Sequence, residues 1–398
     1  MKFSKRTDWN TQESELAEAH RERLAAGQPI SDLTASNPTR CGFVYPADLL
    51  TPLADAAALD YDPNPKGSVR AREAVCQYYA EHGVTGLDSR RVLLTTSTSE
   101  AYGYLFKLLC DPEDQILVPN PSYPLFDYLA DAEVVTLAAA PLVYDHGWQL
   151  DIEGLRRAVT ARTRAVVLVH PNNPTGHFTK VDEAIRLAEV CREFGLALIV
   201  DEVFLDYGFG DPVSNGESRT SFLGRELGIL VFVVSGISKI VGLPQMKAAW
   251  LVATGPGADE AMERLEVLAD TYLSMNAPVQ RALPDWLLGR AAMQDQIRER
   301  VSGNLAELDR QLARQAEGQI LVNRLEVEGG WYAILRIPAV QPDEKTVGEL
   351  LSLGVWAHPG YFFGMGQAGW LVVSLLGLPE NFASGILIFL QYFRDSIR

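Results

Sequence analysis

Five short, uninterrupted apolar runs recur between about Arg91 and Gly257. They read RVLLTTS (Arg91 to Ser97), QILVP (Gln115 to Pro119), RAVVLVH (Arg164 to His170), LALIVD (Leu196 to Asp201) and ILVFVV (Ile229 to Val234). Continuous runs of this length, without polar alternation, suit strands covered on both faces. Helical patterns lie between them: EAYGYLFKLL from Glu100, and VDEAIRLAEVCREF from Val181, with Thr179 as a cap and Gly195 as a C-terminal stop. The alternation predicts an α/β fold with a mostly parallel sheet between helices. At 398 residues, 47% of them hydrophobic, the chain has material for a large and a small domain. Upstream, Asn10 and Glu13 have the spacing of a capping box and predict a helix to about Ala26. The segment SNPTRCGFVYP, Ser36 to Pro46, must be a shaped loop. Downstream, helical patterns run from about Ala261 to Ala316, and the tail from Ile320 reads as strands and helices of a smaller domain.

A net charge of −16 argues against a nucleic-acid binder, which needs a basic face, but leaves room for a local phosphate pocket. Cys41, Cys76, Cys110 and Cys191 are scattered and have no zinc spacing, which suggests reduced thiols in a cytoplasmic protein and no metal. The N-terminal stretch has no apolar core of a secretory signal, and no apolar run approaches the ~20 residues of a membrane span.

Ligands of open α/β sheets bind beyond the carboxyl ends of the strands, so the residues after each run are informative. The first run leads into Ser97-Thr98-Ser99, the second into NPSYP with Tyr123, and the third into PNNPTG with Asn173. The fourth ends on Asp201, and the fifth on Ser238-Lys239, with Lys247 a few residues on. A hydroxyl-rich helix start suits a phosphate, and Lys247 can add a cation. A strand-end carboxylate can hold a protonated ring nitrogen, an aromatic can lie on a flat ring, and an amide can bond a phenolic oxygen. A lysine in a dry pocket is an amine that traps carbonyls. Together these describe a site for pyridoxal phosphate (PLP). Each residue also has a plainer reading: Lys239 as a solvated strand-end lysine, Asp201 as a cap, Tyr123 as packing, PNNPTG as a turn. A Ser-x-x-Lys hydrolase dyad fails because Gly236 holds the serine position. His170, beside PNNPTG, is read as structural.

The chain resembles the class I/II aminotransferases, fold type I PLP enzymes that include aspartate aminotransferase. The matching pieces, in order, are YDPNPKGSVRAREAV (Tyr61 to Val75), TSTSEA (Thr96 to Ala101), PNPSYP (Pro119 to Pro124), PNNPTG (Pro171 to Gly176), DEVF (Asp201 to Phe204), SGISK with Lys247, and HPGYFF (His358 to Phe363). The resemblance implies a large PLP-binding domain over 47–288 and a small domain built from 1–46 and 289–398. It implies that Lys239 carries PLP as a Schiff base and then moves the substrate proton. Asp201 would pair with the pyridine nitrogen, Asn173 with the ring oxygen, and Tyr123 would stack on the ring. Ser97, Thr98, Ser235 and Lys247 would surround the phosphate. Tyr61 would reach the phosphate of a partner subunit in a homodimer, or else serve as an interface or core aromatic.

Three positions depart from the family pattern. Phe204 stands where a tyrosine usually donates to the ring oxygen, Lys247 where an arginine usually binds phosphate, and Val372 where an arginine usually binds the substrate carboxylate. Arg40, in the loop with Ser36, is the best substitute for that arginine, with Arg336 and Arg324 behind it. The expected activity is transfer of an amino group from a small amino donor to a keto acid or aldehyde. β-Lyase, decarboxylase or racemase chemistry on the same fold is the alternative. A PLP-binding regulatory module fits poorly with the acidic charge and the retained Lys239, Asp201 and Asn173.

Overall fold

The structure is a computed structural model and describes residues 1–124, 126–210, 219–315 and 321–395. The ends of two expected segments, Ala316 and Ile320, lie outside the described residues.

An eight-stranded sheet occupies the centre. In chain order its strands are β1 (Val92–Thr95), β2 (Gln115–Asn120), β3 (Thr136–Tyr144), β4 (Trp148–Leu150), β5 (Thr163–Val169), β6 (Ala197–Asp201), β7 (Val231–Gly236) and β8 (Ala249–Thr254). Their spatial order is β1-β8-β7-β6-β5-β2-β3-β4. Neighbours from β7 to β3 pair in parallel, whereas β8 runs antiparallel to both β1 and β7, and β4 antiparallel to β3. Because β1 is separated from β7 only by the reversed β8, it points the same way as the parallel block. The carboxyl ends of β1, β2, β5, β6 and β7 therefore share one edge.

The apolar runs have no polar alternation because both faces are covered. In β7, Val231 and Val233 pack into the core beneath helices Val69–Glu81, Val181–Phe194 and Ala277–Leu288. Phe232 and Val234 enter the opposite core, beneath helices Thr98–Leu109 and Ala258–Tyr272. Each such side chain contributes about 1.5–3 kcal/mol of burial.

A second, four-stranded sheet is built from β9 (Asn323–Arg324), β10 (Tyr332–Arg336), β11 (His358–Pro359) and β12 (Trp370–Ser374), in the order β9-β10-β12-β11. With helices Ala291–Leu312, Asp343–Ser352 and Pro379–Asp395 it forms the smaller α/β domain around a second core, which also takes in Phe204 and Tyr207 from the segment after β6. The N-terminal segment joins it: Ser31 and Asp32 pair in parallel with Val355 and Trp356. No helix among the described residues is long and apolar enough to cross a membrane.

Local boundaries differ from expectation in three places. The N-terminal helix is Glu15–Ala25, capped by Ser14, whose hydroxyl accepts from Ala17 N–H, and not by Asn10, whose side chain accepts from Gln12 N–H; Glu13 is ion-paired with Arg21. Helix Val181–Phe194 is capped at Lys180, whose N–H donates to Glu183 at 2.7 Å; Thr179 N–H donates instead to His170. The expected stop at Gly195 is present, in the left-handed region at φ 67°. The fifth apolar run pairs from Val231 onward, so that the strand carries Ser235 and Gly236 to the site edge.

Candidate active site

Lys239 sits in a single helical turn, Ile237–Ile240, directly after β7. Its carbonyl accepts a hydrogen bond from the Tyr207 hydroxyl at 2.6 Å. Its amine lies 4.9 Å from the centre of the Trp331 ring and 5.7 Å from that of Phe204. Burial of the amine pushes its pKa down to about 8, opposed by the charges of Asp201 and Cys41. The downward shift raises the share of free base near neutral pH, which is what a nucleophilic or proton-moving amine needs.

Asp201 ends the neighbouring strand β6 and is 7% exposed. Its Oδ1 accepts from Val203 N–H and its Oδ2 from the Tyr102 hydroxyl, both at 3.1 Å. Burial pushes its carboxyl up to about 6 against those two bonds and the charge of Lys239. A buried carboxylate beside a buried amine, both shifted toward neutrality, is a recognised mark of a functional site.

The remaining strand ends supply polar groups. Ser97 caps helix Thr98–Leu109 by accepting from Glu100 N–H, and the first-turn N–H groups of that helix point out of its N-terminus. Glu100 reaches back to Thr96 N–H at 2.6 Å. Ser235 is fully buried on β7, and its hydroxyl has no protein partner. Asn173, in the loop after β5, has a buried side-chain oxygen that is likewise unpartnered. Asn172 ties that loop to the one after β2 by donating to Pro121 O at 3.0 Å. Tyr123 on the β2 loop keeps 46% of its surface, its ring 6.5 Å from that of Phe363. Lys247 is exposed and left-handed at φ 53°, which turns the chain into β8. Two residues on, Ala249 pairs with Thr95 on one side and Gly236 on the other. Lys247 thus stands at the edge between the turn bearing Ser97 and Thr98 and the strand bearing Ser235.

The loop from Leu33 to Cys41 is laced onto the smaller domain. Leu33 O accepts from Ser374 N–H, and Ala35 O from the Ser374 hydroxyl. The Ser36 hydroxyl pairs with Tyr332, whose phenol burial pushes up to about 12. Cys41 is buried near Lys239, its thiol pushed up to about 11 by burial. Arg40, next to it, is exposed. Val372 is fully buried between Ile334 and His358 on the neighbouring strands, a packing position for an apolar side chain.

The other two arginine candidates are engaged elsewhere. Arg324 is held by Asp309 at 2.7 Å and donates to Leu325 O. Arg336 lies at the far end of β10 from Tyr332, roughly 13 Å along the strand, and faces Trp370. Tyr61 does not join the Lys239 group within this chain: it is 81% exposed and lines a surface recess with Leu94, Tyr104 and Ser274. His170 is fully buried against Phe178 and Phe222, as expected of a structural histidine. Sequence reasoning passed over Tyr102, Tyr207, Trp331 and Cys41. Tyr102, at four residues from Thr98 on an amphipathic helix, carried a faint signal; Trp331, in an apolar strand approach, carried none.

The family description "Aminotransferase class I and II" matches residues 53–382. The glutamate-pyruvate aminotransferase AlaA of Haemophilus influenzae is 28% identical over 350 residues, 83% of each chain. An alanine aminotransferase of Mycobacterium bovis is 29% identical over 347 residues, 83% of this chain and 78% of that one. Among solved structures, an alanine aminotransferase of Pyrococcus furiosus superposes with a TM-score of 0.84 at 23% identity, over 99% of this chain and 100% of the other. An aspartate aminotransferase mutant of Thermus thermophilus gives 0.84 at 22% identity, over 98% and 99%. The match covers β1 through β12, with every strand end described above; the chain belongs to the class I and II aminotransferases, and it is a transaminase of the PLP-dependent fold type I.

Proposed function

We propose that this enzyme takes the amino group of a small amino acid and passes it to a keto acid or aldehyde, with PLP held on Lys239. The observation that carries the reading is the pairing of a buried, partly neutral amine with a buried carboxylate on adjacent parallel strand ends. When bound, PLP supplies an aldehyde for Lys239 and a ring that draws electrons from the substrate α-carbon.

The unpartnered groups at the sheet edge fit that cofactor. Asp201 offers a buried negative charge for a protonated ring nitrogen, and Tyr102 fixes its orientation. The NH2 of the Asn173 side chain, in the loop after β5, would donate to the ring oxygen, and Tyr123 offers an exposed face for the ring. Ser235, with its free hydroxyl, joins Ser97, Thr98 and Lys247 as the phosphate set. Lys239, displaced by the substrate amine, would take a proton from the substrate α-carbon and deliver it to the cofactor carbon C4′, and the other half-reaction would run the same transfer in reverse. Arg40 and Ser36, from the loop beside Cys41, are the proposed carboxylate contacts in place of Val372.

Homodimerisation completes the reading. Leu59, Tyr61, Val267, Tyr272 and Leu288 are large apolar side chains left 55% exposed or more, which favours cover by a second copy. Tyr61 would then serve the partner's phosphate. Four separate free thiols agree with a cytoplasmic site of action.

A donor screen tests the function, beginning with alanine and glutamate, the substrates in the relatives' names. Each donor alone should convert bound PLP to pyridoxamine phosphate, and pyruvate or another keto acid should reverse it. Release of ammonia without that conversion would overturn the proposal in favour of a lyase.

A further inference from the structure

Trp331 is fully buried directly before β10, yet it belongs to the surroundings of Lys239 rather than to strand packing alone. Its ring and that of Phe204 meet edge to face at 5.2 Å, and both present themselves to the Lys239 amine. Tyr207 packs edge to face against the same indole at 5.2 Å, and its hydroxyl holds the Lys239 carbonyl. Gly330 N–H in turn donates to Tyr207 O at 2.8 Å. One connected block therefore grips both ends of Lys239: the main chain through Tyr207, the amine through Trp331 and Phe204. An aliphatic residue at 331 would fill the space, but only an aromatic face attracts a cation.

We infer that Trp331 is a positioning residue for Lys239: its ring face, with Phe204 beside it, holds the free amine as an ammonium over the site and governs how readily that proton leaves. The inference rests on Lys239 being the reactive amine. Among the described residues, the titratable groups that act on that amine are Asp201 from β6 and Cys41 from the N-terminal loop. The Cys41 thiol, pushed up to about 11, is neutral where Lys239 titrates, near 8. In the loaded enzyme Asp201 would be taken up by the cofactor ring. The two aromatic faces would then support a charged lysine during proton transfer. Trp331 leads into the smaller domain's sheet and Lys239 follows β7 of the large one, so the same contact ties the state of the amine to the seating of one domain on the other.

The test uses the cofactor-free protein, whose Lys239 titration is read by trace acetic anhydride labelling and mass spectrometry of the Lys239 peptide over about pH 6 to 11. Trp331→Leu should lower the labelling midpoint by about one unit, a tenfold change in the protonation ratio. Trp331→Phe should restore most of it, and Phe204→Leu should shift it by a smaller amount in the same direction. A merely structural role moves the denaturation midpoint and leaves the labelling midpoint alone. An unchanged midpoint in folded Trp331→Leu overturns the inference; if that variant does not fold, an unchanged midpoint in Phe204→Leu does so. Failure of the transaminase reading would appear separately, as no PLP found on Lys239 after borohydride reduction of the loaded enzyme.

Discussion

The hydroxyl of Tyr102 donates to Asp201 Oδ2 at 3.1 Å, joining the helix that follows β1 to the end of β6, three strands away in the sheet. The bond holds a carboxylate that burial would otherwise neutralise. Its cost is readable in the cofactor-free protein. The Asp201 carboxyl is raised from an ordinary value near 4 to about 6 in the fold, so the folded state binds its proton more tightly than the unfolded chain. Ionising it above that range destabilises the fold; below about pH 4 the penalty vanishes. Asp201→Asn should therefore stabilise the cofactor-free protein at pH 8 by about 1–3 kcal/mol. The gain should shrink as pH falls from about 6 to 4. Urea denaturation of both proteins at several pH values checks it; a gain independent of pH refutes the assignment. In the loaded enzyme the same substitution should lower kcat by about 10²–10³-fold, as expected for loss of one preorganised charge.

Lys239 and Lys247 should fail in different ways. Lys239→Ala should still bind PLP without a covalent link, lose the absorbance band of the linked cofactor, and lose at least about 10³-fold in kcat. Lys247→Ala should keep the band at saturating PLP but weaken its affinity by about 10–100-fold, the loss of one charge-assisted contact. Equilibrium dialysis with PLP and absorbance spectra separate the two.

How much of this was legible in the sequence depends on the forces that set each element. The runs that became β1, β2, β5, β6 and β7 stand out because both faces of those strands are buried, as the split of Val233 and Phe232 between opposite cores shows. β3 does not stand out: its Ala138-Ala139-Ala140-Pro141 centre has weak strand preference. β8 is apolar, but its reversed direction is set by pairing with β1 and β7, which no local pattern records. That the residues proposed for the site would gather at one edge was legible because parallel strands bring their carboxyl ends together there. Trp331 was not, and Tyr102 only faintly, because their approach to Lys239 and Asp201 depends on how the smaller domain seats and on the phase of one helix. Tyr61 and Arg40 were picked out by resemblance, and nothing inside this single chain brings Tyr61 to the site.

Phe204 offers a spectroscopic prediction. It is 3% exposed, with its ring toward Lys239, in the place where a tyrosine would donate to the cofactor's ring oxygen. Without that donor the oxygen is more basic, and the linked cofactor holds its proton to higher pH. Phe204→Tyr should move the pH midpoint of the visible absorbance change of the loaded enzyme downward by about one unit, the equivalent of one net hydrogen bond. Identical titrations in the two proteins would mean that position 204 does not face the ring oxygen.

Arg40 carries the prediction on which substrate recognition turns. Val372 is sealed between Ile334 and His358 and has no charge to offer a carboxylate. Arg324 is held by Asp309, and Arg336 is directed to Trp370. Arg40 lies in the short turn Pro38–Arg40, one residue before the thiol that faces Lys239, and its side chain is exposed. Its segment is anchored by Ser374 through Leu33 and Ala35, so the turn that bears Arg40 has a fixed base. Arg40→Ala should raise KM for a carboxylate-bearing donor by about 10–100-fold, the worth of a charged hydrogen bond. PLP affinity and the response to an amine lacking a carboxylate should stay unchanged. Arg40→Lys should recover only part of the loss, because a point charge lacks the bidentate fork. Steady-state kinetics with a matched pair, an amino acid and its decarboxylated amine, decides the matter: equal KM changes for both would remove Arg40 from carboxylate recognition.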